Sequence, residues 1–135
     1  MKQIILVGFT ALSLTACTTV TKSLEDNNFS KLKGSEIQAT LPGNSLRGTD
    51  SAGRYTIYYT SGNSMKIVHS GKRGVRKDVG RWRVAGDQYC RRWTKIGKGK
   101  EKCVTLYKNG NSIHWVQRNK ITDRSVLLKG NPAGL

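Results

Sequence analysis

From Ser45 onward the chain alternates apolar and polar residues in short runs, and tight-turn sequences separate the runs: DSAG, SGN, GKRG, GD and NGN. A repeat of two is the signature of a strand with one buried face. The candidate strands are Ser45–Thr49, Tyr55–Thr60, Ser64–Ser70, Val75–Ala85, Gln88–Trp93, Cys103–Lys108, Ser112–Arg118 and Arg124–Lys129. Short strands at even spacing predict a mainly β fold: an antiparallel meander of seven or eight strands, closed as a small barrel or folded as a sandwich.

Two hairpins can be registered from their turns. With Gly86-Asp87 as a two-residue turn, Val84 faces Tyr89, Arg83 faces Cys90, Trp82 faces Arg91 and Arg81 faces Arg92. With Asn109-Gly110 as the next such turn, Leu106 faces Ile113, Val104 faces Trp115 and Cys103 faces Val116. Both registers put large apolar residues on one face, and both put the cysteines on the other. If Cys90 and Cys103 lie across adjacent strands, Tyr89 falls opposite Val104 and both enter the core. Between Tyr55 and His69 the pattern leaves two choices, with either Ile57 or Tyr58 pointing inward.

Ahead of the strands, Ser35 can cap a short helix over Glu36–Leu41, with Glu36 in its first turn and Pro42-Gly43 as its stop. Residues 18–34 are polar and without sustained periodicity, which predicts a flexible tether. The folded domain is then residues 35–135, a single core of modest size.

Residues 1–17, MKQIILVGFTALSLTAC, combine Lys2, an apolar run over Ile4–Leu14 and the box Leu14-Thr15-Ala16-Cys17. The run is too short to span a bilayer. The segment resembles the lipobox leader of bacterial lipoproteins. That resemblance implies cleavage after residue 16, acylation of Cys17 and a stable membrane anchor. Thr18, rather than an aspartate, follows the cysteine, which by the same resemblance favours the outer membrane with the domain facing the periplasm. With Cys17 acylated, Cys90 and Cys103 remain as one pair in an oxidising compartment, an expected disulfide. There is no C-x-x-C, and His69 and His114 lack metal-ligand spacing, so no metal or cofactor is expected.

The chain carries 24 basic and 8 acidic residues. Residues 17–64 hold five basic and four acidic; residues 65–135 hold eighteen and four, net +14. Such asymmetry points to a polyanion, an anionic membrane surface or an acidic partner. In the hairpin register Arg81, Arg83 and Arg92 share the outer face beside the cysteines, with Glu101 as a partner for Arg92. Arg91 lies inside, where its guanidinium can stack on Trp82. The segment 94–102 adds Lys95, Lys98, Lys100 and Lys102, and a second basic run holds Lys72, Arg73, Arg76 and Lys77. Charged outer faces also serve solubility and edge protection.

The ordered set Gly43-Asn44 to Gly48, RYTIYY (54–59), GRWRVAGDQYC (80–90), Cys103 and Gly130-Asn131-Pro132 resembles a family of small exported proteobacterial proteins of uncharacterised activity. The resemblance implies a small antiparallel β domain with one disulfide and carries no functional residues. The high positive charge departs from that family's pattern.

A catalytic role is not expected. Ser64 has no recognisable base beside it, the carboxylates form no pair at useful spacing, and GKGK at 97–100 lacks the strand–loop–helix context of a phosphate loop. The expected function is binding to anionic envelope components, lipopolysaccharide or phospholipid headgroups, through the basic face. Nucleic acid ranks lower, because stacking needs exposed aromatics and only Trp93 and Tyr107 are available. The alternative is an accessory subunit of an envelope assembly with an acidic protein partner. Inhibition of a basic lytic enzyme is disfavoured by like charge.

Overall fold

The structure is a computed structural model that describes residues 19–135. The leader and Cys17 lie outside the described residues. The elements are α1 (Val20–Asp26), β1 (Ser30–Lys31), α2 (Gly34–Thr40), β2 (Ser45–Asp50), β3 (Gly53–Tyr59), β4 (Ser64–Gly71), β5 (Gly74–Ala85), β6 (Gln88–Trp93), a 3₁₀ turn (Ile96–Gly99), β7 (Lys102–Asn109), β8 (Ser112–Gln117) and β9 (Lys120–Leu128). Strands β2 to β9 each pair antiparallel with the next, and β9 returns to β2, with Leu46 opposite Leu127. The result is a closed eight-stranded barrel, not a sandwich.

The GD hairpin has the expected register, from Ala85 opposite Gln88 to Arg81 opposite Arg92. Cys90 lies opposite Cys103 and Tyr89 opposite Val104. The two cysteines are bonded across β6 and β7, with Cα atoms 3.9 Å apart. The NG hairpin differs by one step. Asn109 pairs with Ser112, so Gly110-Asn111 is the turn and Leu106 faces Trp115 rather than Ile113. The partner moves by two residues, so every side chain keeps its face, and Val104, Leu106, Ile113 and Trp115 are all buried as expected. In the ambiguous region Ile57 points inward and is 2% exposed. The last strand begins at Lys120, four residues before the expected Arg124, because Arg118 and Asn119 both adopt positive φ and make a tight turn without glycine.

Strand alternation fills the barrel with one aromatic stack. Tyr59 and Tyr89 share a hydroxyl–hydroxyl hydrogen bond of 2.8 Å. Trp82 packs edge-on against Tyr59 at 5.8 Å, and Trp115 packs against Tyr89 at 5.4 Å. Burial disfavours a phenolate at both hydroxyls: it pushes the Tyr89 group up to about 12 and Tyr59 well above its ordinary value.

A meander places alternate turns at the same end. One end, the helix end, holds the β3–β4, β5–β6 and β7–β8 turns and is plugged by α2, whose Ile37 and Leu41 are fully buried. The helix begins at Gly34, one residue before the expected Ser35 cap. Its amides are capped differently: Lys33 N donates to Glu36 Oε2 at 2.7 Å, and Gly34 N donates to Asp87 Oδ1 at 2.9 Å. Asp87 belongs to the GD turn, so a tertiary contact sets where the helix starts.

The expected tether over 18–34 is overturned for its described part. Thr19 caps α1 by accepting from Lys22 N. Leu24 is buried against Tyr107 and Val116 on the outside of β7 and β8. Phe29 stacks on His114 at 4.3 Å, and β1 pairs with the edge of β7 that β6 leaves free. The isolated apolar residues Val20, Leu24 and Phe29 suffice because the barrel wall already offers them an apolar strip.

Candidate functional site

The loop end gathers β2–β3, β4–β5 and β8–β9 turns and the segment 94–101 between β6 and β7. Both basic runs therefore converge there. Lys72 and Arg73 form the β4–β5 turn, Arg76 and Lys77 begin β5, and Lys95, Lys98, Lys100 and Lys102 surround the barrel opening; all are exposed. Arg118 and Lys120, which the sequence reading did not single out, flank the third turn of this end and are exposed as well.

Asp78 fixes the lysine segment to the barrel. Its Oδ2 accepts from Lys95 N at 2.8 Å and Ile96 N at 2.9 Å, and its Oδ1 accepts from Val79 N at 2.8 Å. Burial alone would raise the carboxyl, but these three amides outweigh it and hold Asp78 below the usual carboxylate range. Ile96 packs against the barrel core. Between them Gly97, Lys98 and Gly99 all take left-handed φ of 57–66°, which folds the segment back over the opening.

The three outer-face arginines separate in role. Arg81 and Arg92 stand directly opposite one another and line a shallow groove with Lys66 and Val79. Neither is in an ion pair among the described residues. Arg83 instead takes Glu101 in a fork, Nη2–Oε1 2.6 Å and Nε–Oε2 3.0 Å. The expected Arg92–Glu101 pair is thus corrected to Arg83–Glu101. Arg83 lies opposite Cys90, whose disulfide partner Cys103 is two residues from Glu101, and this brings the two charges together. The fork holds Glu101 below its ordinary value and neutralises Arg83 as a free cation.

Inside the opening lies a cavity of about 60 Å³, lined by Asp50, Tyr55, His69, Arg91 and Asp123 with Lys100 and Lys102 among its walls. Arg91 faces inward as expected, but its guanidinium sits 4.6 Å over Trp115, not on Trp82. Trp82 is occupied by Tyr59 and Tyr89. His69 Nε2 lies 3.3 Å from both oxygens of Asp50, and Asp50 Oδ1 also accepts from Ala52 N and Gly53 N. Burial raises the Asp123 carboxyl above its ordinary value. Of these residues the sequence singles out Arg91, Lys100 and Lys102, names His69 only as a histidine without ligand spacing, and gives no sign of a shared site for Asp50, Tyr55, His69 and Asp123. These four come from four different strands, and only barrel closure assembles them. Inward parity on β2, β3, β4 and β9 is the one signal that could have found them.

The aromatic platforms proposed for nucleic acid are absent. Trp93 is 6% exposed and Tyr107, under α1, is 5% exposed. The one cluster of metal-ligating residue types among the described residues is Cys90, Glu101 and Cys103, where both sulfurs are consumed by the disulfide. No described helix is long and apolar enough to cross a membrane. Comparison with protein-family models, curated proteins and solved structures finds no match to this chain.

Proposed function

We propose that the protein is an envelope lipoprotein, anchored by acylated Cys17 and facing the periplasm from the outer membrane, that binds anionic headgroups through the loop end of its barrel. The observation that carries this reading is convergence. Three separate basic segments reach one barrel end, and the chain enters the fold at that same end, where Val20 N donates to Asn119 Oδ1 at 2.9 Å. Two residues separate Cys17 from Val20, a reach of roughly 10 Å at 3.3–3.6 Å per residue. A lipid on Cys17 would therefore hold the loop end close to the headgroups, within the range of unscreened charge. The buried tryptophans favour phosphate-bearing headgroups over nucleic acid. The reading assigns no catalytic step.

Co-sedimentation of the non-acylated Cys17→Ser chain with phosphatidylglycerol vesicles across a salt series tests it. Binding is expected to weaken steeply with salt and to fall further in a Lys72→Ala/Arg73→Ala/Lys98→Ala/Lys100→Ala variant. Absent or salt-insensitive binding would refute it. A second reading, an accessory subunit with an acidic protein partner, is favoured by the groove between Arg81 and Arg92. Val79 in that groove is 55% exposed and Val75 on the same strand is 67% exposed. Capture of one acidic envelope protein, lost in Arg81→Ala/Arg92→Ala, would select that reading.

A further inference from the structure

Three buried polar atoms belong to side chains that line the mouth cavity and have no hydrogen-bond partner among the described residues: the Tyr55 hydroxyl, Arg91 Nη1 and His69 Nδ1. Tyr55 is 3% exposed and His69 is 4% exposed. Buried polar groups left unpaired are costly, and three around one cavity mark a place where something else completes them. We propose that this cavity is a binding pocket for a single phosphate group, the shared chemistry of inorganic phosphate and of a phosphomonoester headgroup.

The donor set fits that group. Arg91 is held with its Cζ 4.6 Å over the Trp115 ring while its Nη1 has no partner among the described residues, and a guanidinium offers the fork of donors that matches an oxyanion. Tyr55 supplies a second donor. His69 presents Nε2 to the Asp50 carboxylate, which leaves Nδ1 to accept from a protonated phosphate oxygen, or to donate when the ring is charged. Lys100 and Lys102 make the entrance positive. Two carboxylates also face the cavity. Asp50 is already committed to Ala52 N, Gly53 N and His69. Asp123 is offset by the Arg91 charge and lies within reach of the Tyr55 hydroxyl, so a phosphate competes with this carboxylate for that donor. A volume of about 60 Å³ holds several ordered waters, each needing about 10–15 Å³ of such space, or one tetrahedral oxyanion. Ordered waters are the competing occupant.

The inference rests on the headgroup reading only for its lipid source. Titration calorimetry of the Cys17→Ser chain with inorganic phosphate, and vesicle binding with phosphatidic acid against phosphatidylglycerol, separate the cases. Phosphate is expected to bind with a Kd near or below about 1 mM, and Tyr55→Phe, which removes one oxygen, is expected to weaken it about tenfold. Arg91→Gln is expected to abolish it while thermal unfolding stays cooperative. The four-residue rim variant should lose vesicle binding and keep phosphate binding. A preference for phosphatidic acid that Tyr55→Phe erases identifies the lipid source; phosphate binding without that preference identifies the free ion. No phosphate binding by the parent chain, or equal binding by Tyr55→Phe and Arg91→Gln, overturns the pocket and leaves ordered water as its content, whatever the vesicles show.

Discussion

At the helix end, α2 lowers Ile37 and Leu41 into the barrel and both are wholly buried; at the loop end, the segment 94–101 covers a cavity lined by charged and hydroxyl groups. The first closure is hydrophobic at its centre, with the Asp87 and Glu36 carboxylates only capping the helix at its rim. The second depends on one carboxylate, Asp78, catching two amides of the covering segment. The same eight strands thus carry one end sealed by apolar side chains and one end with a cavity rimmed by lysines. Under the proposed function, stability and recognition fall at opposite poles of one small barrel, so each can be altered with little change in the other.

Substitutions at the two poles should behave unequally. Leu41→Ala, which empties a fully buried site, is expected to cost about 2–5 kcal/mol in urea unfolding and to leave vesicle binding intact. If binding falls in proportion, the poles are coupled and the comparison breaks. Replacing both Cys90 and Cys103 by alanine is expected to cost about 3 kcal/mol, since the bond closes a short loop. That effect belongs to the wall between the poles and should appear in thermal unfolding without changing salt dependence.

Asp78→Ala is expected to cost about 2 kcal/mol at neutral pH and to speed hydrogen exchange selectively at Lys95 and Ile96. The carboxyl is held below its unfolded value, so its contribution is complete above the ordinary aspartate range and is lost as pH falls through the lowered folded value. The stability difference between wild type and Asp78→Ala should therefore shrink only in acid, below about pH 4. A difference that persists unchanged into strong acid would show that the charge is not what fastens the segment. The smallest expected effect on stability is the four-residue rim variant, within about 0.5 kcal/mol of the parent because its side chains are exposed. Its effect on headgroup binding should be the largest of the set.

Much of the barrel was legible in the chain. Gly86-Asp87 fixed one hairpin to the residue, because a two-residue turn leaves no slack. Asn109-Gly110 was read one step early, since Gly110-Asn111 serves the same turn, yet the inward set survived because the partner moved by two. Arg118-Asn119 carries no glycine to mark it as a turn, although both residues take positive φ. Helix α1 was invisible because three apolar residues among polar ones form no stripe; the wall at Tyr107 and Val116 supplies the other half. The residues of the two basic runs are legible in the chain; Arg118 and Lys120 are not, and neither is the convergence of all three segments. Counting turns would have found it, since every second turn of a meander shares an end. The cavity could not be read so simply, because Asp50, Tyr55, His69 and Asp123 meet only when β9 pairs with β2.

Asp87 adds a temporal consequence to its role as helix cap. The amide it binds belongs to Gly34, 53 residues earlier, and a Cβ at Gly34 would collide with Gly86 O. The plug therefore has no seat until the β5–β6 hairpin has formed. Docking of α2 is expected late on the folding route, so Asp87→Ala should accelerate unfolding and leave the folding rate nearly unchanged. The helix end would then be the last part of the molecule to close and the first to open.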